Sequence, residues 1–367
     1  MPNNTDIKFM KKALSLAKKG EGHTSPNPMV GAVLVKNGKI IGSGYHKKVG
    51  LPHAEIEAFN NAKKKGNSII GSTLYVTLEP CCHAGKRTPP CTDAIIWEKV
   101  KKVYVSTLDP NPEVSGRGIK FLKENGVDVE VGLLEDKSKK MNEFFNKFIV
   151  KKIPFVILKL AATLDGKIAS KSGDSKWIGS EEQRKIAHQL RSKVDAVIVG
   201  INTIKKDNSR LNARIKNKRI TQPIPLVLDS KLRISPNAAI FKANRKVIIA
   251  TTVLNELKEK SLEKAGAEII RVRQDNDGMV SLPHLMRFLG KMDISSILIE
   301  GGSTVSAAAL LSNIVDKVIF FYSPKILGGD GISMIGGLNK ESIKRAIDLK
   351  RIKFKNFKDE LVVEGYI

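Results

Sequence analysis

The sequence predicts an α/β protein built of two domains, and three observations carry that reading. Its 367 residues exceed one ordinary domain. Hydrophobic residues at 41% and charged residues at 27% fit a soluble globular chain able to bury a core. Short apolar runs alternate with amphipathic helical patterns, as in a sheet with helices on its faces. No apolar run approaches the roughly 18–20 residues of a membrane span. Residues 1–6 lack a charged start followed by an apolar stretch, so no secretory signal is expected. Cys81, Cys82 and Cys91 are too few for a disulfide framework. Their clustering points to metal or catalysis in a reducing compartment, and the expected location is cytoplasmic.

Each element has a local reason. Residues 6–19 read as an amphipathic helix, with Phe9, Met10, Ala13, Leu14 and Ala17 on one face, Thr5 or Asp6 to cap its start and Gly20 to end it. Residues 29–35 form an apolar strand, and Asn37-Gly38 is a hairpin turn into Ile40-Ile41. A helix at about 53–64, a strand at 73–78, a Cys/Pro-rich loop, a short helix at 92–99 and a strand at 103–107 follow. A further strand–helix alternation runs to about 133, and the unit closes near 141–150. Lys151-Lys152-Ile153-Pro154 begins a second unit. Strands are expected there at 155–161, 195–200, 226–229, 246–251, 268–272, 296–300, 315–322 and 361–367, with helices at 180–193, 254–265, 282–291 and 303–312. No internal repeat or low-complexity linker is present.

The formal charge of +26, from 63 Lys and Arg against 37 Asp and Glu, is the unusual value. A basic face that releases counterions from phosphates would suit a nucleic-acid binder. The lysines are instead scattered in short groups such as Lys11-Lys12, Lys63-Lys64-Lys65 and Lys205-Lys206, and aromatic residues at 5% leave little to stack on bases. Solvated faces are the better reading. No nucleic acid or membrane partner is expected, while a general attraction for phosphorylated small molecules remains.

The chemistry lies in His53-Ala54-Glu55 followed by Pro80-Cys81-Cys82 and Thr88-Pro89-Pro90-Cys91. Deaminating an aminopyrimidine ring needs a hydroxide at neutral pH and then a proton for the departing amine. A Zn2+ ion held by His53, Cys81 and Cys91 would keep a fourth position for water and lower its pKa to roughly 7. Glu55, two residues beyond the histidine and not a ligand, would shuttle the proton, the arrangement zinc deaminases share in general. His53 and Glu55 are expected at a helix start. Cys91 is expected just before a helix, whose dipole would favour its thiolate. Each piece alone has an inert reading, a structural histidine or a buried thiol. Cys82 could compete with Cys81 as ligand; Cys81 is preferred because it directly follows Pro80. In the rear half, Asp165-Gly166 is a turn signal. Ile299-Glu300-Gly301-Gly302-Ser303 runs from a strand through two glycines into a helix of small residues, which suits a phosphate but lacks the dinucleotide glycine spacing.

Pro26-Asn27-Pro28-Met29-Val30-Gly31, Gly44-Tyr45-His46, Pro52-His53-Ala54-Glu55 and Leu78-Glu79-Pro80-Cys81 resemble the front half of the bifunctional riboflavin-biosynthesis deaminase–reductases. The long loop between Cys81 and Cys91 sets the chain apart from cytidine and tRNA adenosine deaminases. It holds one residue more than the family pattern, at Lys86-Arg87, leaving open which of the two faces a substrate phosphate. The likeness continues through 159–169, 173–178, 207–211 and 299–303, covering nearly the whole chain.

The resemblance implies a cytidine-deaminase-like α/β/α domain at 1–148 and a dihydrofolate-reductase-like α/β domain at 149–367. It implies Zn2+ at His53, Cys81 and Cys91, with Glu55 catalytic and Asn27 and His46 holding the pyrimidine. It implies NADPH contacts at Ala161, Trp177, Thr203, Asp207, Ser230, Gly302, Ser303, Thr304, Val305, Ser306, Ala307 and Ala308. Substrate contacts fall at Ser175, Arg191, Leu211, Arg214 and Glu300, the guanidinium forks suiting a ribose phosphate. The implied reactions are hydrolytic deamination of 2,5-diamino-6-(5-phosphoribosylamino)pyrimidin-4(3H)-one to 5-amino-6-(5-phosphoribosylamino)uracil, then NADPH-dependent reduction of the ribosyl group to ribityl. No residue stands out as the reductase's general acid. The family tends to associate, which allows a homo-oligomer. Two rivals stay open at this level. One is a deaminase whose rear half only binds or dimerises. The other is a deaminase acting on a base in a polynucleotide, against which the long Cys loop and the rear motifs weigh.

Overall fold

The computed structural model describes residues 3–82, 90–215, 220–243 and 245–367, so Lys86 and Arg87 lie outside the described residues. The chain divides into two compact units, Met1–Lys152 and Ile153–Ile367.

The first unit begins with α1 (Asn4–Ala17), whose cap differs from the expectation. Neither Thr5 nor Asp6 caps it. Asn3 has the extended backbone a cap requires and accepts from the N–H groups of Thr5 and Asp6, while Asp6 accepts from the N–H of Asn3 at 2.8 Å. Asp6 therefore sits three residues into the helix and also takes the Tyr75 hydroxyl at 2.5 Å. Strands β1 (Gly31–Lys36) and β2 (Lys39–Tyr45) form a hairpin whose two turn residues, Asn37 and Gly38, both have positive φ. Then come α2 (Ala54–Lys64), β3 (Thr73–Val76), α3 (Cys91–Trp97), β4 (Lys102–Val105), α4 (Arg117–Glu124), β5 (Asp128–Val131), α5 (Glu135–Met141) and α6 (Glu143–Lys151).

Among the described residues these strands make a five-stranded sheet in the order β2-β1-β3-β4-β5. β1 is antiparallel to both its neighbours, whereas β3, β4 and β5 are parallel. Both faces are covered, as alternation in β1 shows. Ala32 and Leu34 pack with Ala54, Ala58 and Phe59 of α2, while Val33 and Val35 pack with Phe9, Met10 and Ala13 of α1. The helix α2 lies so close to β2 that a Cβ at Gly42 would come within 2.4 Å of the Ala58 carbonyl oxygen, and one at Gly44 within 2.5 Å of the Ala58 nitrogen. Those two glycines set the approach of the helix that follows His53 and carries Glu55.

The second unit contains β6 (Phe155–Thr163), β7 (Lys167–Ala169), α7 (Glu181–Arg191), β8 (Ala196–Gly200), α8 (Ile201–Asp207), β9 (Ile224–Leu228) and β10 (Val247–Thr251). It continues through α9 (Glu256–Lys264), β11 (Ala267–Arg271), α10 (Leu282–Lys291), β12 (Ser296–Ile299), α11 (Ser303–Leu311), β13 (Lys317–Ser323), β14 (Ile332–Ser333), β15 (Lys350–Phe357) and β16 (Glu360–Tyr366). Among the described residues, nine strands form one sheet in the order β11-β10-β9-β8-β12-β6-β13-β16-β15. The run from β11 to β13 is parallel, and β16 alone runs opposite, antiparallel to β13 on one side and to β15 on the other, so the carboxyl ends of β9, β8, β12 and β6 share one edge. That edge is where open parallel sheets bind ligands. One face packs Val156, Leu158 and Leu160 of β6 with Ile198, Ile297 and Leu285. The helix α8 and the strands β7, β14 and β15 were not anticipated. β15 is largely exposed and carries little apolar alternation to reveal it.

Candidate active site

Two helix starts and a strand end build the first centre. His53 is the extended residue capping α2, Glu55 lies in the first turn of that helix, Cys81 follows β3, and Cys91 is the first residue of α3. The donor atoms of His53, Cys81 and Cys91 all lie within 4.8 Å of one another. His53 Nδ1 is 3.2 Å from Cys91 Sγ and 3.6 Å from Cys81 Sγ. One imidazole and two thiols on a common centre are a tetrahedral zinc donor set with one position left for another ligand, so these residues fit the ion. Cys82 is half-buried and lies outside the cluster.

The first N–H of α3 donates to Cys81 Sγ, at 3.4 Å. Donation from the Cys91 thiol, aided by His53, holds Cys81 at about 4, whereas Cys91 lies well above its ordinary value, as the donor to Cys81 and through burial. Glu55 is buried, 3% exposed, and burial pushes its carboxyl up to about 7, against the pull of His53. A carboxyl poised near neutrality can both take and give a proton.

The second pair of expected residues stands beside this cluster. His46 is buried, and its ring meets that of His53 edge-on at 5.6 Å. His46 Nδ1 lies 3.2 Å from the Pro52 carbonyl, which can only accept, so Nε2 receives the Asn27 amide at 3.2 Å. Burial lowers His46, in keeping with this neutral tautomer. Asn142 pins the adjoining backbone by accepting from Met29 N–H at 2.8 Å and donating to its carbonyl at 3.0 Å. Glu79 had no assigned role. Its carboxylate is buried and accepts from the N–H groups of Asp109, Gly116, Gly118 and Ile119, tying the Pro80-Cys81 strand end to the start of α4.

The second centre gathers at the shared edge of the larger sheet. Ala161 lies near the end of β6, Thr203 and the exposed Asp207 are on α8 directly after β8, Ser230 follows β9, and Glu300 and Gly302 follow β12. Gly302 caps α11, and a side chain there would meet nothing within 4 Å. Ser303, Val305 and Ala308 are half-buried and Thr304 is exposed. Ser306 and Ala307 are buried, and Ser306 donates to the Gly302 carbonyl at 3.0 Å, so these two face inward. Ser230 is also buried, and its hydroxyl accepts from Val280 N–H at 3.1 Å. Leu211 is buried. Trp177 is 65% exposed with the Arg184 guanidinium over its ring, and the half-buried Ser175 lies nearby in sequence.

Charges dominate this edge. Arg191 grips Glu300 with both arms of its fork, Nε lying 3.2 Å from each carboxylate oxygen and Nη2 completing an ion pair. Burial pushes Glu300 up, but Arg191 and then Lys159 outweigh it and leave the carboxyl below its ordinary value. Lys159, on β6, lies over the Phe321 ring, and burial lowers it. Lys159 belongs to the 159–169 motif, where its position alone assigns it no role. An inward lysine on a strand is silent until its neighbours are known.

Comparison with known proteins now adds identity to geometry. Residues 154–363 match the RibD C-terminal domain, and residues 3–107 match the cytidine and deoxycytidylate deaminase zinc-binding region. The riboflavin biosynthesis protein RibD of Aquifex aeolicus is 42% identical over 363 residues, covering 99% of each chain. That of Escherichia coli is 37% identical over 366 residues, covering 96% of each. The chain belongs to the RibD family. A solved structure from Thermotoga maritima, described as a diaminohydroxyphosphoribosylaminopyrimidine deaminase/5-amino-6-(5-phosphoribosylamino)uracil reductase, is 40% identical with a TM-score of 0.86, over 99% of this chain and 98% of that one. RibD of Acinetobacter baumannii is 34% identical with a TM-score of 0.87, over the same shares. The chain thus joins a cytidine-deaminase-like zinc domain to a dihydrofolate-reductase-like RibD domain. It is a bifunctional deaminase and NADPH-dependent reductase of riboflavin biosynthesis. Among the described residues no helix is long and apolar enough to cross a membrane.

Proposed function

We propose that residues 1–148 deaminate 2,5-diamino-6-(5-phosphoribosylamino)pyrimidin-4(3H)-one to 5-amino-6-(5-phosphoribosylamino)uracil, and that residues 149–367 then reduce its ribosyl group to ribityl. The observation that carries the first half is the buried Glu55 beside the His53, Cys81 and Cys91 donor cluster. Zinc held by those three residues supplies Lewis acidity that makes water nucleophilic at neutral pH. Glu55 takes one proton from the attacking water and gives it to the ring nitrogen, then carries the second, from the newly added hydroxyl, to the departing amine, so water and substrate give ammonia and the uracil ring. Asn27 and His46 hold the pyrimidine, the Asn27 amide being oriented by its bond to His46 Nε2.

In the rear half NADPH supplies the hydride. Ala161, Trp177, Thr203, Asp207 and Ser230, with the start of α11, hold the cofactor along the carboxyl edge of the sheet. Ser306 and Ala307 support that helix start from within rather than by side-chain contact. Ser175, Leu211 and Arg214 contact the substrate together with Arg191 and Glu300, and Lys159, lowered by burial, donates the proton that accompanies hydride transfer to the opened ribosyl carbon. The partners are phosphorylated pyrimidines, with no nucleic acid and no membrane; the location is cytoplasmic, and copies of the chain associate.

Incubating the purified protein with the diaminopyrimidinone phosphate, with and without NADPH, tests both halves by product mass. Exchange of an amino group for oxygen is expected in both reactions, and gain of two hydrogens only with NADPH. Ammonia release without NADPH consumption would reduce the rear half to a binding domain.

A further inference from the structure

His188, on α7, has no role in the reading above, yet it lies between residues that do. Its Nδ1 is 3.1 Å from the Asn212 carbonyl oxygen. A carbonyl can only accept, so Nδ1 carries the proton and Nε2 the lone pair. Arg214 donates to that lone pair from Nη2 at 3.0 Å and from Nε at 3.3 Å. One imidazole therefore ties the guanidinium to the backbone two residues before it. The segment is fixed at two further points. Arg191 Nη1 donates to the same Asn212 carbonyl at 3.1 Å, and the Gln222 amide both accepts from and donates to the Ala213 backbone, each at 2.9 Å.

Arg214 is exposed, and an exposed arginine ordinarily samples many rotamers. Freezing one of them before binding removes that loss from the binding step. With Nε and one Nη2 hydrogen engaged on His188, the Nη1–Nη2 end of the guanidinium stays open, and that end can meet an oxyanion with two parallel donors.

We propose that His188 is a positioning residue that presets Arg214 for the phosphate of the ribosyl substrate and thereby sets how tightly the reductase holds it. The inference rests on the reading that Arg214 meets that phosphate. The imidazole does this work only while neutral. Burial lowers His188, Arg191 and Arg214 lower it further, and the Asn212 carbonyl and Glu300 oppose them. These are the groups facing it from α7, from the segment after α8 and from the end of β12. Protonation turns Nε2 from acceptor into donor against a cation, so the KM for phosphorylated substrate rises as pH falls below the histidine range.

The test uses the full zinc-loaded chain supplied with the aminouracil intermediate and NADPH. His188→Ala is expected to raise the KM of the phosphorylated substrate about 10-fold, leaving kcat and the KM of NADPH within about two-fold. The dephosphorylated substrate should be little affected. His188→Gln, whose amide can donate to Asn212 and accept from Arg214, should restore most of the loss and flatten the pH dependence of KM. Titration of the substrate phosphate near pH ~6 is common to both proteins and cancels in that comparison. An unchanged KM in His188→Ala overturns the proposal, as does a joint collapse of kcat and KM in both variants. Arg214→Ala tests the reading beneath it. An unchanged KM there removes Arg214 from the phosphate, whereas a raised KM there with none in His188→Ala removes only the histidine.

Discussion

The two centres are assembled in opposite ways. The deaminase donors come from residues 53–91, sit on two helix starts and a strand end, and converge on one point with Glu55 already near neutrality. The residues proposed for reduction include Lys159, Arg191 and Glu300, which arrive near one sheet edge through parallel crossovers and act electrostatically on one another. A metal centre can be complete before substrate arrives, because its ligands need only the ion. A phosphate-binding edge holds cations that must be neutralised until the anion comes, so its ion pairs are part of the fold and of the site at once.

That contrast can be broken or sharpened by substitution. Glu55→Gln should give the largest change, lowering deaminase turnover by about 10³- to 10⁴-fold with zinc content unchanged, measured as ammonia release beside elemental analysis. Retained turnover would show that another group moves the proton. Cys91→Ser should lose the zinc and deamination together while reduction of supplied aminouracil intermediate continues, read by metal content and NADPH oxidation. Arg191→Met should abolish reduction and also destabilise the rear unit by about 2–3 kcal/mol, because Glu300 keeps a nearly buried charge without its fork. The urea midpoint at which NADPH binding disappears measures it, and a stable but inactive variant would make the pair functional only.

Smaller effects probe the supports. Glu79→Gln leaves a single acceptor oxygen for four N–H donors, and about 2 kcal/mol of stability should go with it. Looser zinc should follow, detected by chelator competition. Asp6→Asn should cost about 1 kcal/mol through the weakened capping box on α1, visible as a lower melting temperature with deaminase kinetics unchanged.

Much of this was legible in the residues themselves. The hairpin at Asn37-Gly38 follows from two positions that must take positive φ, and the α2 and α11 starts follow from local pattern. His53, Glu55, Cys81 and Cys91 could be picked out because chemistry and short spacing agree, and the structure brings the three ligand residues together. Other features follow no local rule. Thr5 or Asp6 looked as able to cap α1 as Asn3, and the Tyr75 hydroxyl bonded to Asp6 is far away in sequence. Nothing near Cys91 says that its helix start will serve Cys81.

Sequence alone therefore determined the α/β architecture, its division into two parts and the three residues whose donor atoms cluster in the first unit, since periodicity, turn chemistry and ligand type are properties of neighbouring residues. Only the tertiary structure decided which charges share the edge of the larger sheet, that Arg191 is held by Glu300, that the half-buried Lys159 acts on Glu300, and that Arg214 is bonded to His188. The reason is topological. Parallel strands return through long crossovers, so residues a hundred positions apart come within hydrogen-bonding distance, and a pair energy that depends on distance and burial has no trace in either residue alone.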